Sequence, residues 1–137
     1  MTRQRAGDER GMSISVLILM LMGAMIATAG LVVDGGQKVT AATRAETAAA
    51  GASRAAGNAA ATQQLGGRDS AGAATLAAKT YLAGQPGVSG SVSVSAGVVS
   101  IRTVASEPTI FLSAIGISQV TGLGQAEANI VPTGGLR

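Results

Sequence analysis

The stretch that decides how this chain folds is Met12–Val33, MSISVLILMLMGAMIATAGLVV, an apolar run without a charged residue. At a helical rise of about 1.5 Å per residue it reaches roughly 33 Å, the thickness of a bilayer's hydrocarbon core. A helix apolar on every side must be buried on every side, and a chain of 137 residues holds little else to bury it. The run therefore reads as a membrane-inserted or export segment, and everything from Asp34 onward as what it carries.

N-terminal to the run, the head Met1–Gly11 sets Arg3, Arg5 and Arg10 against Asp8 and Glu9. Three cations precede the run, and Lys38 and Arg44 follow it, a bias that favours a cytoplasmic N-terminus and an exported C-terminal part. Three fates are open to the segment. Signal peptidase has an A-x-A pattern in Ala27-Thr28-Ala29, with Gly30 as the new N-terminus. Without cleavage the run is a permanent single-pass anchor. Cleavage on the cytoplasmic side, between Gly11 and Met12, would instead leave the apolar helix on the mature chain. Within the run, Gly23, Ala27, Gly30 and Asp34 fall at spacings of four, three and four. They form a stripe of small residues through which helix backbones can approach in lipid. Asp34 ends that stripe at the water boundary, where it is expected to sit in headgroup water; the alternative is a cation on a neighbouring subunit.

Past the membrane boundary, Gly35-Gly36 is expected to bend or melt the helix, since each glycine costs about 1 kcal/mol relative to alanine. The arm from Gln37 to Leu65 favours helix. Ala41, Ala45, Ala48, Ala52, Ala55 and Ala59 recur at four and three, with Ala42, Ala49 and Ala56 widening the seam. A seam of methyl groups buries little area but permits very close approach, so the arm requires a partner surface. Gly66-Gly67 ends it. Asp69 or Ser70 then caps a second helix running to about Ala83, and Gly84-Gln85-Pro86-Gly87 breaks that one.

From Val88 the period changes to two. Val88, Gly90, Val92 and Val94 alternate with serines, which predicts a half-buried strand; Ala96-Gly97 turns the chain into a return strand, Val98–Val104. Pro108 is expected to open a short helical turn, Thr109–Ile115, closed by Gly116. Ala126, Ala128 and Ile130 mark a last strand ending at Pro132. The fold class is thus α+β: a long N-terminal membrane-spanning helix, extended by an alanine-rich arm, packed on a small antiparallel sheet of about three strands. The organisation follows as head 1–11, membrane helix 12–33, arm 34–65, extracytoplasmic α+β domain 66–132 and a disordered tail 133–137.

Composition narrows the function. Charged residues make up 12% of the chain, and the Lys/Arg beyond the run stand singly, with Tyr81 and Phe111 as the aromatics. Nucleic-acid binding needs clustered cations and stacking rings, so no nucleic-acid partner is expected. Cysteine is absent, which removes any disulfide or thiolate metal site, and histidine is absent, which removes the usual general base and the commonest transition-metal ligand. The acids Asp34, Glu46, Asp69, Glu107 and Glu127 lie far apart, and no phosphate-loop, dinucleotide or nucleophile-elbow pattern occurs. No enzyme activity, cofactor, metal or small-molecule substrate is expected.

The residues Asp8-Glu9-Arg10-Gly11, the apolar helix that follows at once, Gly30-Leu31-Val32-Val33-Asp34-Gly35-Gly36 and the alanine/arginine arm resemble the TadE/TadG-like proteins of Tad (Flp) pilus systems. The likeness is to their short single-pass members. It extends loosely to the C-terminal hairpin, the apolar turn at Ile110-Phe111-Leu112 and the closing strand. The resemblance implies a minor pilin or pseudopilin of the inner membrane, partnered by other pilin or assembly subunits and incorporated in, or initiating, an extracellular filament. In members cut by prepilin peptidase the cleavage follows a glycine, which maps to Gly11, and a glutamate stands five residues into the mature chain; Val16 occupies that place here. The competing expectation is a signal-anchored or secreted small binding domain unrelated to pili.

Overall fold

A computed structural model of the chain describes the backbone of residues 8–130 and the side chains of residues 13–130. The charged head's Arg3 and Arg5 and the tail from Thr133 lie outside the described residues.

One helix, α1 (Asp8–Leu65), takes up the head's end, the apolar run and the arm without interruption. Its 58 residues extend about 87 Å. Gly35-Gly36 does not break it, contrary to the expectation from propensity. Both glycines sit inside a helix fixed on either side, by Asp34 below and by the packed alanines above, and the Thr40 hydroxyl donates to the Gly36 carbonyl at 3.0 Å. Cooperative propagation through a helix held at both ends outweighs the local cost. The arm ends as predicted at Gly66-Gly67. Gly67 adopts φ +64°, Arg68 N–H bonds the Gln63 carbonyl at 3.0 Å, and Gly67 N–H bonds that of Gln64 at 3.1 Å.

The second helix, α2 (Ser70–Ala83), is capped by Asp69, whose carboxylate accepts from the Ala71 and Gly72 N–H groups, each at 3.1 Å. Three antiparallel strands follow in the order β1 (Val88–Ser95), β2 (Val98–Pro108) and β3 (Gln119–Asn129). The β1–β2 turn places Ala96 at φ 49° and Gly97 at φ 77°, the paired left-handed residues of a tight hairpin. The fold class is α+β, as the sequence predicts.

Two strand boundaries differ from expectation. β2 runs through Pro108 instead of stopping near Val104, because β1 ends its pairing at Val88 opposite Ala105 and leaves that side of β2 open. Pro108, opposite Gln119 of β3, therefore lacks an N–H where no second neighbour needs one. Correspondingly, the helical turn shortens to a 3-10 turn at Leu112–Ile115. β3 starts at Gln119 rather than near Gln125: the alternation that marks the strand begins at Gln125, but Gly122 and Gly124 are paired strand residues as well. It ends at Asn129, and Ile130 packs into the core with its N–H on the Gly97 carbonyl.

The arm of α1 lies across one face of the sheet. Ala41, Ala45, Ala48, Ala49, Ala52, Ala56 and Ala60 are buried there, with Ala74, Ala78 and Leu82 of α2 and Val99, Ile101 and Ala105 of β2. The seam departs from the predicted one at its end: Ala55 and Ala59 are half-buried and Ala60 takes their place. A straight helix advances 3.6 residues per turn, so a contact stripe drifts off a strict heptad by about 20° per repeat. Among the largest fully buried side chains are Ile101, Val99, Thr103 and Asp34; two of these are polar, so specific bonds carry part of what bulk usually does.

Candidate functional site

Two surfaces follow from this architecture: a bare apolar stem, and the junction where the stem meets the sheet domain. In the stem, residues 13–29 are exposed throughout. It belongs to the one helix among the described residues that is long and apolar enough to cross a membrane, Ser13–Leu65. The Thr28 hydroxyl donates to the Ala24 carbonyl at 2.8 Å, one turn back. Gly23 has open space around it and Ala27 is exposed. Ala29, the residue before the A-x-A cleavage point, also sits in mid-helix. Gly11 and Met12 belong to the first turns of α1.

The other half of the predicted stripe is not free. Gly30 is buried beneath the Phe111 ring; a Cβ at Gly30 would stand 2.7 Å from Phe111 Cγ. One turn further, Asp34 is 1% exposed and lies neither in headgroup water nor against a neighbour's cation. Its carboxylate accepts from three consecutive backbone N–H groups: Ile110 at 2.8 Å, Phe111 at 3.1 Å and Leu112 at 2.6 Å. These are the donors that the start of the 3-10 turn leaves without intrahelical partners. Asp34 thus caps a turn contributed from 76 residues further along the chain. Burial raises its carboxyl pKa, but the bonds from Ile110, Leu112 and Phe111 prevail and hold it below the usual aspartate range.

Three further contacts clamp arm to sheet. The Thr103 hydroxyl, itself buried, donates to the Ala45 carbonyl at 2.7 Å. Beside it in register, Gly124 meets the backbone of Ala45 and Glu46, and Gly122 meets that of Ala41 and Ala42. Arg44 pairs with Glu107 at the end of β2 and donates to the Pro86 carbonyl at 2.6 Å. Sequence reasoning missed all three. The signal for the glycines was present, since glycines two apart in a strand share one face and mark a close backbone approach.

Among the described residues no group of three or more Asp or Glu gathers to hold a metal ion. The chemistry available at the junction is recognition and fixation of backbone and apolar surface. No family model, curated protein or solved structure matches this chain.

Proposed function

We propose that this protein is a non-enzymatic structural or assembly subunit of a Tad (Flp)-type pilus, a pseudopilin-like chain. It is anchored by residues 12–33 with its N-terminus cytoplasmic, and it works by packing its helix against other subunits in the membrane or filament. The observation that carries the reading is the division of α1: its second half is sealed against the sheet, while the first leaves 17 helical residues, 13–29, bare on all sides. A soluble binding domain has no use for such a stem; a subunit whose helix packs among others does. The resemblance of the head, stem and alanine arm to the TadE/TadG-like proteins points the same way.

A secreted form starting at Gly30 fits less well, because the cut would fall inside a continuous helix, at the residue that Phe111 covers. The test is the N-terminus and intact mass of the mature protein from membranes and from sheared extracellular material. A stem-bearing chain in the sheared fraction, beginning at Met12, is the expected result for a filament subunit. An intact Met1 confined to membranes would mean a permanent anchor and favour a membrane-resident assembly factor over a filament component. A soluble chain beginning at Gly30 would refute the proposal.

A further inference from the structure

The β2–β3 connector, residues 109–118, carries a chain of apolar side chains that the fold does not bury. Ile110 is 59% exposed, Ile115 72%, Ile117 46% and Phe111 42%, on a protein whose core is made mostly of alanine. No charged residue occurs between Glu107 and Glu127. Folding has pinned this connector at a particular height. Its Phe111 ring lies on Gly30, inside the apolar run, about 6 Å below Asp34 along the helix axis. Around it the stem presents Leu31, Val32 and Val33, each exposed, so the apolar surface passes from stem to connector without a break.

A loop at that height meets an obstacle: backbone polar groups cannot be left unpaired where water is scarce. Here seven of the connector's N–H groups are paired from within. Asp34 takes the N–H groups of Ile110, Phe111 and Leu112. Thr109 N–H bonds the Ser118 carbonyl at 3.1 Å, Ala114 that of Phe111 at 3.1 Å, Gly116 that of Ser113 at 3.1 Å and Ile117 that of Leu112 at 3.0 Å. The Ser113 hydroxyl donates to the Ile110 carbonyl at 2.6 Å, and the Thr109 hydroxyl to that of Ile117. The loop thus turns apolar side chains outward while bonding most of its own N–H groups.

We propose that this connector is a second membrane-seated element, which inserts Ile110, Phe111, Ile115 and Ile117 into the outer-leaflet boundary between headgroups and acyl chains. The proposal rests on the reading of residues 12–33 as a membrane anchor. The occupant is lipid because the surface is continuous with the lipid-facing stem and uncharged, and because such insertion reaches about 5–10 Å, the depth at which Phe111 is held. Two points of attachment on one side of α1 would fix the tilt of the sheet domain over the bilayer, instead of letting it swing on a single helix.

The chain contains no cysteine, so single cysteines can be introduced and labelled with a polarity-sensitive fluorophore in the full-length protein. Three sites decide the matter: Ile115→Cys in the connector, Leu21→Cys in the stem and Ser91→Cys on the exposed sheet face. The protein is reconstituted in vesicles of phosphatidylcholine and phosphatidylglycerol, three to one, with lipids spin-labelled at shallow or deep acyl positions. The expected result is a blue-shifted Ile115 probe quenched most by the shallow label, a Leu21 probe quenched most by the deep label, and a Ser91 probe matching water. A water-like Ile115 probe beside a quenched Leu21 probe overturns the proposal and leaves the anchor standing. A blue-shifted but unquenched Ile115 probe also overturns it, because protein and not lipid would then cover the loop. A water-like Leu21 probe removes the anchor reading, and the proposal with it.

Discussion

Replacing Gly124 with alanine adds one methyl group to β3, and the structure gives a definite sign and size to its effect. The new Cβ would stand 2.3 Å from the Ala45 carbonyl carbon, 2.4 Å from its oxygen and 2.5 Å from the Glu46 nitrogen. The closest of these is about 1.1 Å short of the 3.4 Å of ordinary contact. All three are helix backbone, which cannot rotate away, so α1 must lift from the sheet. A lift of that size would stretch the Thr103–Ala45 bond from 2.7 Å to about 3.8 Å, past hydrogen-bonding range. Overpacking costs about 1–3 kcal/mol, and a buried hydroxyl stripped of its partner about 1–3 more.

The sum, about 2–6 kcal/mol, is a large part of the roughly 5–15 kcal/mol that stabilises a domain of this size. With a urea slope of about 2 kcal/mol per M, the midpoint should fall by about 1 M or more. Tyr81, packed over Gly51 at the α1–α2 contact and unaccompanied by any tryptophan, reports the transition by fluorescence of the full chain in detergent micelles. The opposite sign is available if the reasoning is wrong. Gly124 has no left-handed backbone requirement, so alanine there would otherwise stabilise the strand by about 0.5–1 kcal/mol. A midpoint equal to or above the parent's would refute the seating of α1 on β3. Gly57→Ala is the internal control: nothing lies within 4 Å of its Cβ position in mid-helix, so it should stabilise by about 0.5–1 kcal/mol.

Other consequences are as direct. Asp34→Asn should release the connector, raising hydrogen exchange at the Ile110, Phe111 and Leu112 amides while β1 and β2 stay protected; unchanged exchange at those three would contradict the cap. Because the folded Asp34 carboxyl titrates below the ordinary aspartate value of about 3.9, its contribution is complete above that pH and is lost as pH falls toward the lower folded value. Protection at the same amides, taken relative to the intrinsic exchange rate at each pH, should therefore fall at acid pH in the parent and be flat in Asp34→Asn. Arg44→Met should cost no more than about 1 kcal/mol, since the Arg44 side chain is 40% exposed, and a double-mutant cycle with Glu107→Gln should return a coupling within that bound. Gly30→Leu should expel the Phe111 ring and expose the connector to protease, whereas Gly23→Leu should leave the sheet domain's urea midpoint unchanged; a fall there would place Gly23 in an intramolecular contact.

The parts of this fold that were legible in the sequence are those that local physics decides. The apolar run, the end of the arm at Gly66-Gly67, the Asp69 cap and the Ala96-Gly97 turn all rest on residue types whose preferences act within a few positions. The parts that were not legible depend on what the chain meets far away. Gly35-Gly36 looked like a hinge because propensity ignores the clamps on either side. Asp34 looked like a boundary carboxylate because nothing near it in sequence reveals that it faces Ile110, 76 residues on. Gly122 and Gly124 fell outside the expected last strand, although their spacing of two already placed both on one face. The stripe ending in Asp34 mixed two roles: Gly23 and Ala27 stay open on the stem, while Gly30 and Asp34 are taken up by the chain's own connector.

The alanines of α1 and the glycines of β3 are two halves of one device. Large side chains specify a fold by the volumes they fill, and small ones cannot. What small residues allow is contact between backbones, where the shape of the helix itself is the key that fits. At such range the Ala45 carbonyl can receive the Thr103 hydroxyl, and register along the helix becomes fixed by a hydrogen bond instead of by an interlocking side chain. The junction repeats the same logic one end lower, where Gly30 admits the Phe111 ring and Asp34 receives three N–H groups. Both anchor points lie on a single rigid helix. A sheet domain tied to it at Ala45 and at Asp34 is therefore held to the helix at two points about 16 Å apart along its axis, which fixes both its position along the helix and its orientation around it.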